Sequence, residues 1–306
     1  AGNPTESAEV EIKDNKVVVK VGTQPMGQGH DTSFMQLVSE KLGVDFEDVI
    51  IDTSDSDNLP SGGGSHGSRT SQIGSIATIN SSDKMIAKGK LIAGEILETA
   101  PADIEYNNGA FSIAGTDREI SLFDVGREAI SSVSLPEELK GPLSGSDTHT
   151  IENWNYPNGC HLCELEIDKD TGEIEILNYC AVDDFGRVIN PLLVAGQVHG
   201  GVAQGLGQAI LENTVYDKNS GQLLTSSFMD YTMPRADDLP LMNIDTNEVL
   251  CKTNILGVKG SGEAGALVAP PVIISAIVDA LKDYGITHID MPATSEKLWE
   301  IMHKRS

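Results

Sequence analysis

Cysteine is scarce in this chain. Four residues of 306 (Cys160, Cys163, Cys180 and Cys251) are too few for a disulfide framework and too scattered for an iron–sulfur cluster. Basic residues are the second shortage: 21 Lys and Arg stand against 46 Asp and Glu, a formal net charge of −25. That balance leaves no basic face for a nucleic acid and describes a strongly hydrated protein. No apolar run reaches the length of a membrane span, and the opening residues lack the basic-then-apolar pattern of a secretory signal. The chain opens on Ala1 and not on Met, so a trimmed chain or part of a longer polypeptide is expected. Reduced, unpaired cysteines place it in the cytoplasm. Cys160-His161-Leu162-Cys163 has redox or zinc spacing, but it opens a strand-like stretch in which positions 160 and 163 point to opposite faces. No residue is therefore assigned as a metal ligand.

Glycine, by contrast, is plentiful and clustered. Between 257 and 265 four residues are glycine, and one carboxylate, Glu263, stands among them. Such a backbone turns tightly and can lie directly against a ligand. Behind it the apolar positions 273, 276, 277, 280 and 281 follow helical spacing. Gly260 to Gly265 also spells the G-x-G-x-x-G of a dinucleotide site, with 249–258 as the strand before it. That reading requires a helix opening at the glycines. Pro270-Pro271 argues instead for a helix that begins with Pro271 in its first turn, which disfavours a dinucleotide-binding dehydrogenase.

In chain order, 10–12 and 17–21 predict a hairpin across Asp14-Asn15. Gly27-Gln28-Gly29 then leads into a helix with apolar residues at 34, 37, 38 and 42, stopped by Gly43. Glycines at a helix entrance offer free backbone N–H groups to a phosphate. A short strand at 49–51 and an acidic loop at 52–57 precede Ser61 to Ser71, a run of glycines and hydroxyls around a single cation, Arg69. This composition suits a polar or anionic ligand, and a helix follows from about 72 to 98. Residues 101–150 predict short strands, a helix near 122–130 and a Pro/Gly-rich connection over 135–150, where the lobe boundary is expected. Strands at 161–168 and 173–182 open the second lobe. The helix predicted over 195–212 contains five glycines, which together cost several kcal/mol, at roughly 0.5–1 kcal/mol each, unless a neighbouring helix or a flat ligand approaches. Both halves run from strands to a glycine-rich helix entrance, a strand and a second glycine loop. The fold class expected is α+β, two lobes (1–150 and 151–306) of mixed sheet with packed helices, related by internal duplication.

Four motifs in series carry a resemblance: Met26-Gly27-Gln28-Gly29, Gly67-Ser68-Arg69-Thr70, Gly196 to Gly207, and Gly260 to Gly265. Together they resemble the C-terminal molybdopterin-binding region of the large subunits of the xanthine dehydrogenase/aldehyde oxidase/carbon monoxide dehydrogenase family. The Gly-Ser-Arg pattern leans toward the carbon monoxide dehydrogenase branch. The resemblance implies a molybdopterin cofactor carrying molybdenum, with the cytosine dinucleotide form open, and a small-molecule substrate such as an aldehyde, an N-heterocycle or CO. It assigns Glu263 as the base that accepts the proton lost as water-derived oxygen reaches an electron-poor carbon. It places Gly27, Gln28, Gly29, Gly67, Ser68, Arg69, Thr70, Gln197 and Gly262 against the cofactor. It further implies partners: the N-terminal half of the large subunit, and iron–sulfur and flavin subunits or domains, with no FAD or iron–sulfur cluster in this chain. A non-catalytic half-site that works only when docked is the alternative from another class.

Overall fold

The structure is a computed structural model and describes residues 3–53, 55, 57 and 61–303, so the acidic loop at 52–57 lies partly outside the described residues. The chain divides into two compact units. Unit 1 runs to Asn155 and takes in Cys251–Gly260; unit 2 holds Tyr156–Leu250 and the chain from Ser261 onward.

Unit 1 is built on a hairpin. Strands β1 (Thr5–Lys13) and β2 (Lys16–Val21) alternate, so that Ala8, Val10 and Ile12 and then Val17, Val19 and Val21 all turn inward. Lys20 bridges Glu9 and Glu11 at 2.9 and 3.3 Å on the outer face. Helix α1 (His30–Leu42) buries Phe34, Leu37, Val38 and Leu42, the predicted positions, and ends on Gly43 in the left-handed conformation. Strand β3 (Val49–Asp52) then pairs parallel to β2, and α2 (Ser75–Ile96) covers the sheet. A small antiparallel sheet follows, β4 (Ile104–Asn107), β5 (Ala110–Ile113) and β6 (Glu119–Ser121), and then α3 (Leu122–Ser131).

The predicted Pro/Gly connection over 135–150 is only half a connection. Its end, β7 (Ser144–Thr150), pairs antiparallel with β1, giving the sheet order β3-β2-β1-β7. The stretch has no apolar alternation to announce a strand. Hydroxyl pairs hold it instead, Thr5 with Thr150 at 2.9 Å and Ser7 with Thr148 at 2.8 Å, and Gly145 lies so close to α2 that a Cβ would sit 2.2 Å from the Ser81 carbonyl oxygen.

Unit 2 repeats the plan. A hairpin, β8 (Asn158–Ile167) with β9 (Ile174–Asp184), is followed by α4 (Pro191–Leu206), by β10 (Asn243–Thr246) parallel to β9, and by α5 (Ala264–Ala280) and α6 (Ser295–His303). The order β10-β9-β8 mirrors β3-β2-β1, so the same hairpin–helix–strand–helix unit occurs twice.

Two expectations about the glycine loop are corrected. Helix α5 starts at Ala264, immediately after the glycines, and runs through Pro270-Pro271 instead of beginning there. A proline inside a helix costs about 3 kcal/mol in isolation, but here packing prevails. Ala264, Gly265 and Ala269 are buried against α4, and the Pro270 ring lies on Gly205, where a Cβ would come within 2.8 Å of its Cδ. The segment 249–258 is a loop closed by Cys251 N–H to Gly257 O (3.0 Å), not a strand. The dinucleotide reading therefore fails for want of its strand, although the helix it needs is present.

The glycines of α4 divide by role. Gly201 faces Gly265 backbone to backbone, with a Cβ at 201 falling 2.8 Å from Ala266 N, whereas Cβ atoms at Gly196 and Gly200 would meet nothing within 4 Å. Gly201→Ala should force α4 from α5 and lower unfolding stability by about 1–3 kcal/mol. Gly196→Ala should leave it level or raise it by about 0.5–1 kcal/mol. Denaturant melts of the two variants check the contrast.

Candidate functional site

In unit 1 the two glycine loops are tied together. Ser65 Oγ donates to the Gln24 carbonyl at 2.6 Å and lies 3.3 Å from both Thr70 Oγ1 and His30 Nδ1, and Gly64 N–H bonds Gly22 O at 3.0 Å. Burial lowers the His30 pKa, which favours the neutral ring. Gly27 (φ 102°) and Gly29 (φ 73°) set the turn into α1, and the Gln28 side chain accepts from Met26 N–H. Gly29 caps α1 without a side-chain bond, so the first N–H groups of that helix are left without a capping side chain.

The second loop turns on Gly67 (φ 57°) and Ser68 (φ 55°), the latter a conformation that non-glycine residues rarely adopt. A π-helical turn over Thr70–Gly74 leads into α2. Gly260 packs on Ser68 so tightly that a Cβ would lie 2.3 Å from the Ser68 carbonyl oxygen.

Arg69 is fully buried and spoken for. Its Nη1 donates to Glu6 Oε2 at 2.8 Å and to Gly64 O at 2.6 Å, Nη2 to Thr5 O at 2.7 Å and Nε to Asn3 O at 2.9 Å. Glu6, equally buried, also accepts N–H bonds from Gly63 (3.0 Å) and Ser7 (3.1 Å). The guanidinium thus fastens the loop to β1, and this geometry matches loop-holding, not contact with an outside anion. Sequence reading missed Glu6. The signal was available, because Glu6 lies in phase with Ala8, Val10 and Ile12 on the inward face of β1.

Two buried polar atoms of this region lack any protein partner: Gln72 Oε1, whose amide Nε2 donates to Ser68 O at 3.1 Å, and Thr23 Oγ1.

In unit 2, Asn190 caps α4 by accepting from Leu193 N–H at 3.0 Å, and Gln197 is half-buried one turn beyond. His199 is exposed and turned back onto the Ala195 carbonyl at 2.7 Å. Glu263 is exposed at the N-cap of α5, where the helix dipole favours a negative charge, and Gly262 beside it has open space at its Cβ position. The contact of Gly201 with Gly265 brings the Gln197 helix and the Glu263 turn together within this unit.

The Cys160–Cys163 pair splits as its spacing requires: Cys160 is exposed, and Cys163 faces the core with its thiol pushed up to about 11 by burial. Between them His161 is buried, with Nδ1 2.9 Å from Tyr179 OH and Nε2 3.1 Å from Asp183 Oδ2. This network ties β8 to β9 and lies in phase with the strand interior, as Glu6 does in unit 1. Among the described residues, no three His, Cys, Asp or Glu side chains converge as a metal site, and no helix is long and apolar enough to cross a membrane.

Comparison with known proteins completes the description. Residues 1–240 match the molybdopterin cofactor-binding domain family. The chain is 35% identical over 298 residues to the 6-hydroxypseudooxynicotine dehydrogenase complex subunit gamma of Paenarthrobacter nicotinovorans, covering 96% of this chain and 37% of that subunit. CO dehydrogenase from Oligotropha carboxidovorans superposes with a TM-score of 0.88 at 31% identity, over 97% of this chain and 37% of that one. Quinoline 2-oxidoreductase from Pseudomonas putida 86 gives the same TM-score and identity over 99% of this chain and 38% of its own. The chain therefore spans a little over a third of the length of these three proteins, and it belongs to the molybdopterin cofactor-binding domain family.

Proposed function

We propose that this chain is the C-terminal part of a molybdenum hydroxylase large subunit, with two cofactor-facing lobes divided near residue 150 and Glu263 in the second. The carrying observation is the chemistry left open around the glycine motifs. Backbone at Gly27, Gly196, Gly200 and Gly262 has no neighbour where a side chain would stand. A flat heterocycle fits such surfaces, so the residues present suit a pterin.

In this reading Gln28 and the helix entrance at Gly29 bind polar and phosphate groups, and Gly67, Ser68 and Thr70 shape the loop beside them. Arg69 acts through that loop. Gln197 and Gly262 border the ring system, and Glu263 takes the proton from the attacking water. When bound, the molybdenum centre, with the cytosine dinucleotide form as one option, accepts the electrons that the substrate gives up. The substrate class is an aldehyde, an N-heterocycle or a CO-like molecule. The electrons leave through iron–sulfur and flavin partners, the remaining half of the large subunit completes the pocket, and the assembly works in the cytoplasm.

Molybdenum and pterin analysis tests this reading. The chain purified alone should hold little of either, and the chain co-produced with the N-terminal half should hold both near stoichiometry. Absence of molybdenum from the complex, with tight NAD binding in its place, would overturn it. The half-site behaviour is supported by the exposed Phe228, Met229 and Leu241, which are 82%, 92% and 98% accessible. A further expectation separates folding from assembly. Gly262→Val, whose Cβ meets nothing within 4 Å in the chain itself, should melt like the parent yet fail to retain cofactor in the complex. Equal cofactor content in the two would show that the Gly262 backbone faces no ligand.

A further inference from the structure

The two repeats differ in how completely their second strand is covered. In unit 1, β3 pairs with residues 17–20 of the six-residue β2. In unit 2, β10 pairs only with residues 180–183 of the eleven-residue β9. Residues 174–176, 178 and 179 consequently pair with β8 on one side, with Leu177 the extra residue of a bulge between them, and among the described residues no strand lies on the other side. A free strand edge presents unpaired N–H and C=O groups that readily accept another strand.

This edge is not flat against solvent. Consecutive residues 173–177 line a cavity of about 970 Å³, together with Asp237–Pro240, the segment that leads toward β10. Ile174, Ile176 and Leu239 give the cavity an apolar ground, and Leu177 on the same strand is 41% exposed. The lining carries the carboxylates of Glu166, Asp168, Glu173, Glu175, Asp237 and Asp238 and no Lys or Arg.

We propose that this edge of β9 is a docking site for an extended, lysine- or arginine-bearing segment of a partner polypeptide, which adds as a strand beside residues 174–179. Main-chain bonds on either side of the Leu177 bulge, at about 3.3 Å per regular strand residue, would supply affinity. The carboxylates supply selection, because charges of one sign along an edge repel like strands and admit opposite ones. A second copy of this chain, with its net charge of −25 and the same carboxylates, is the occupant they disfavour most.

Hydrogen–deuterium exchange on the full chain tests the proposal, with a nine-residue peptide of alternating lysine and valine as probe. The amides of residues 174–179 that point away from β8 should exchange at least tenfold more slowly with the peptide. The Glu175→Lys/Asp237→Lys double variant, folded by circular dichroism, should lose that protection and bind at least tenfold more weakly at equal salt. Three outcomes would overturn the idea. A probe with its central valine replaced by proline could protect equally, which would reduce the site to charge attraction. Protection could appear elsewhere or nowhere. Light scattering could show a dimer whose residues 174–179 are already protected without peptide, which would make the occupant a second copy.

Discussion

Arg69→Ala is expected to lower the stability of unit 1 by about 3–5 kcal/mol, a large share of the roughly 5–15 kcal/mol that holds an ordinary domain together. The substitution leaves the Glu6 carboxylate at zero exposure with only two N–H donors, from Gly63 and Ser7, and strips donors from the Asn3, Thr5 and Gly64 carbonyls. An unpaired buried charge is the costly product; the pair itself need not be a net gain. Removing both charges together separates the two. The Glu6→Gln/Arg69→Met double variant, which removes both charges, should be markedly more stable than Arg69→Ala alone. Urea melts of the three proteins supply the numbers. If Arg69→Ala melts within about 1 kcal/mol of the parent, the guanidinium is not holding the loop. Cofactor retention in the assembled enzyme should fall with it, as a consequence of losing the Ser61–Thr70 loop. Intact stability with lost cofactor would instead indicate direct contact.

Glu263→Gln should show the opposite pattern, with stability within about 1 kcal/mol of the parent and chemistry lost. Glu263 is exposed on its turn, so glutamine can replace it without disturbing packing. The amide keeps the shape and can still accept a hydrogen bond, but it cannot take up the proton that the proposed function assigns to Glu263. In the assembled enzyme, turnover should fall by about a hundredfold or more at unchanged molybdenum and pterin content. Near-normal turnover with full cofactor would remove Glu263 from the chemistry and leave the loop as the entrance to α5.

The contrast between these residues shows how far the sequence alone could go. Local periodicity placed the β1–β2 hairpin, α1 with its Gly43 stop, α2, α3 and the β8–β9 hairpin, because each buries one face at its own period and stops at turn residues. The glycine excess in α4 announced a close approach, since nothing else offsets that many helix-weakening residues. The serial order of the four glycine motifs pointed to the family. Sequence could not say which glycines meet protein: Gly201 and Gly205 are taken up by α5, while Gly196 and Gly200 stay open.

Tertiary structure decided the rest wherever a partner far along the chain outweighs a local rule. Proline chemistry put Pro271 in the first turn of α5, but burial of Ala264, Gly265 and Ala269 on α4 extends the helix back to the glycine loop. Strand β7 has no pattern of its own and exists because β1, 141 residues earlier in the Ser7–Thr148 register, offers an edge and hydroxyl partners. Arg69 among hydroxyls looked like an anion site; only folding shows that its anion is Glu6, 63 residues away. Glu6 and His161 were legible as polar residues on the apolar phase of a strand, which can be buried only with a partner. The identity of that partner is long-range information, fixed by which faces must be hidden from water together and absent from any local window of the chain.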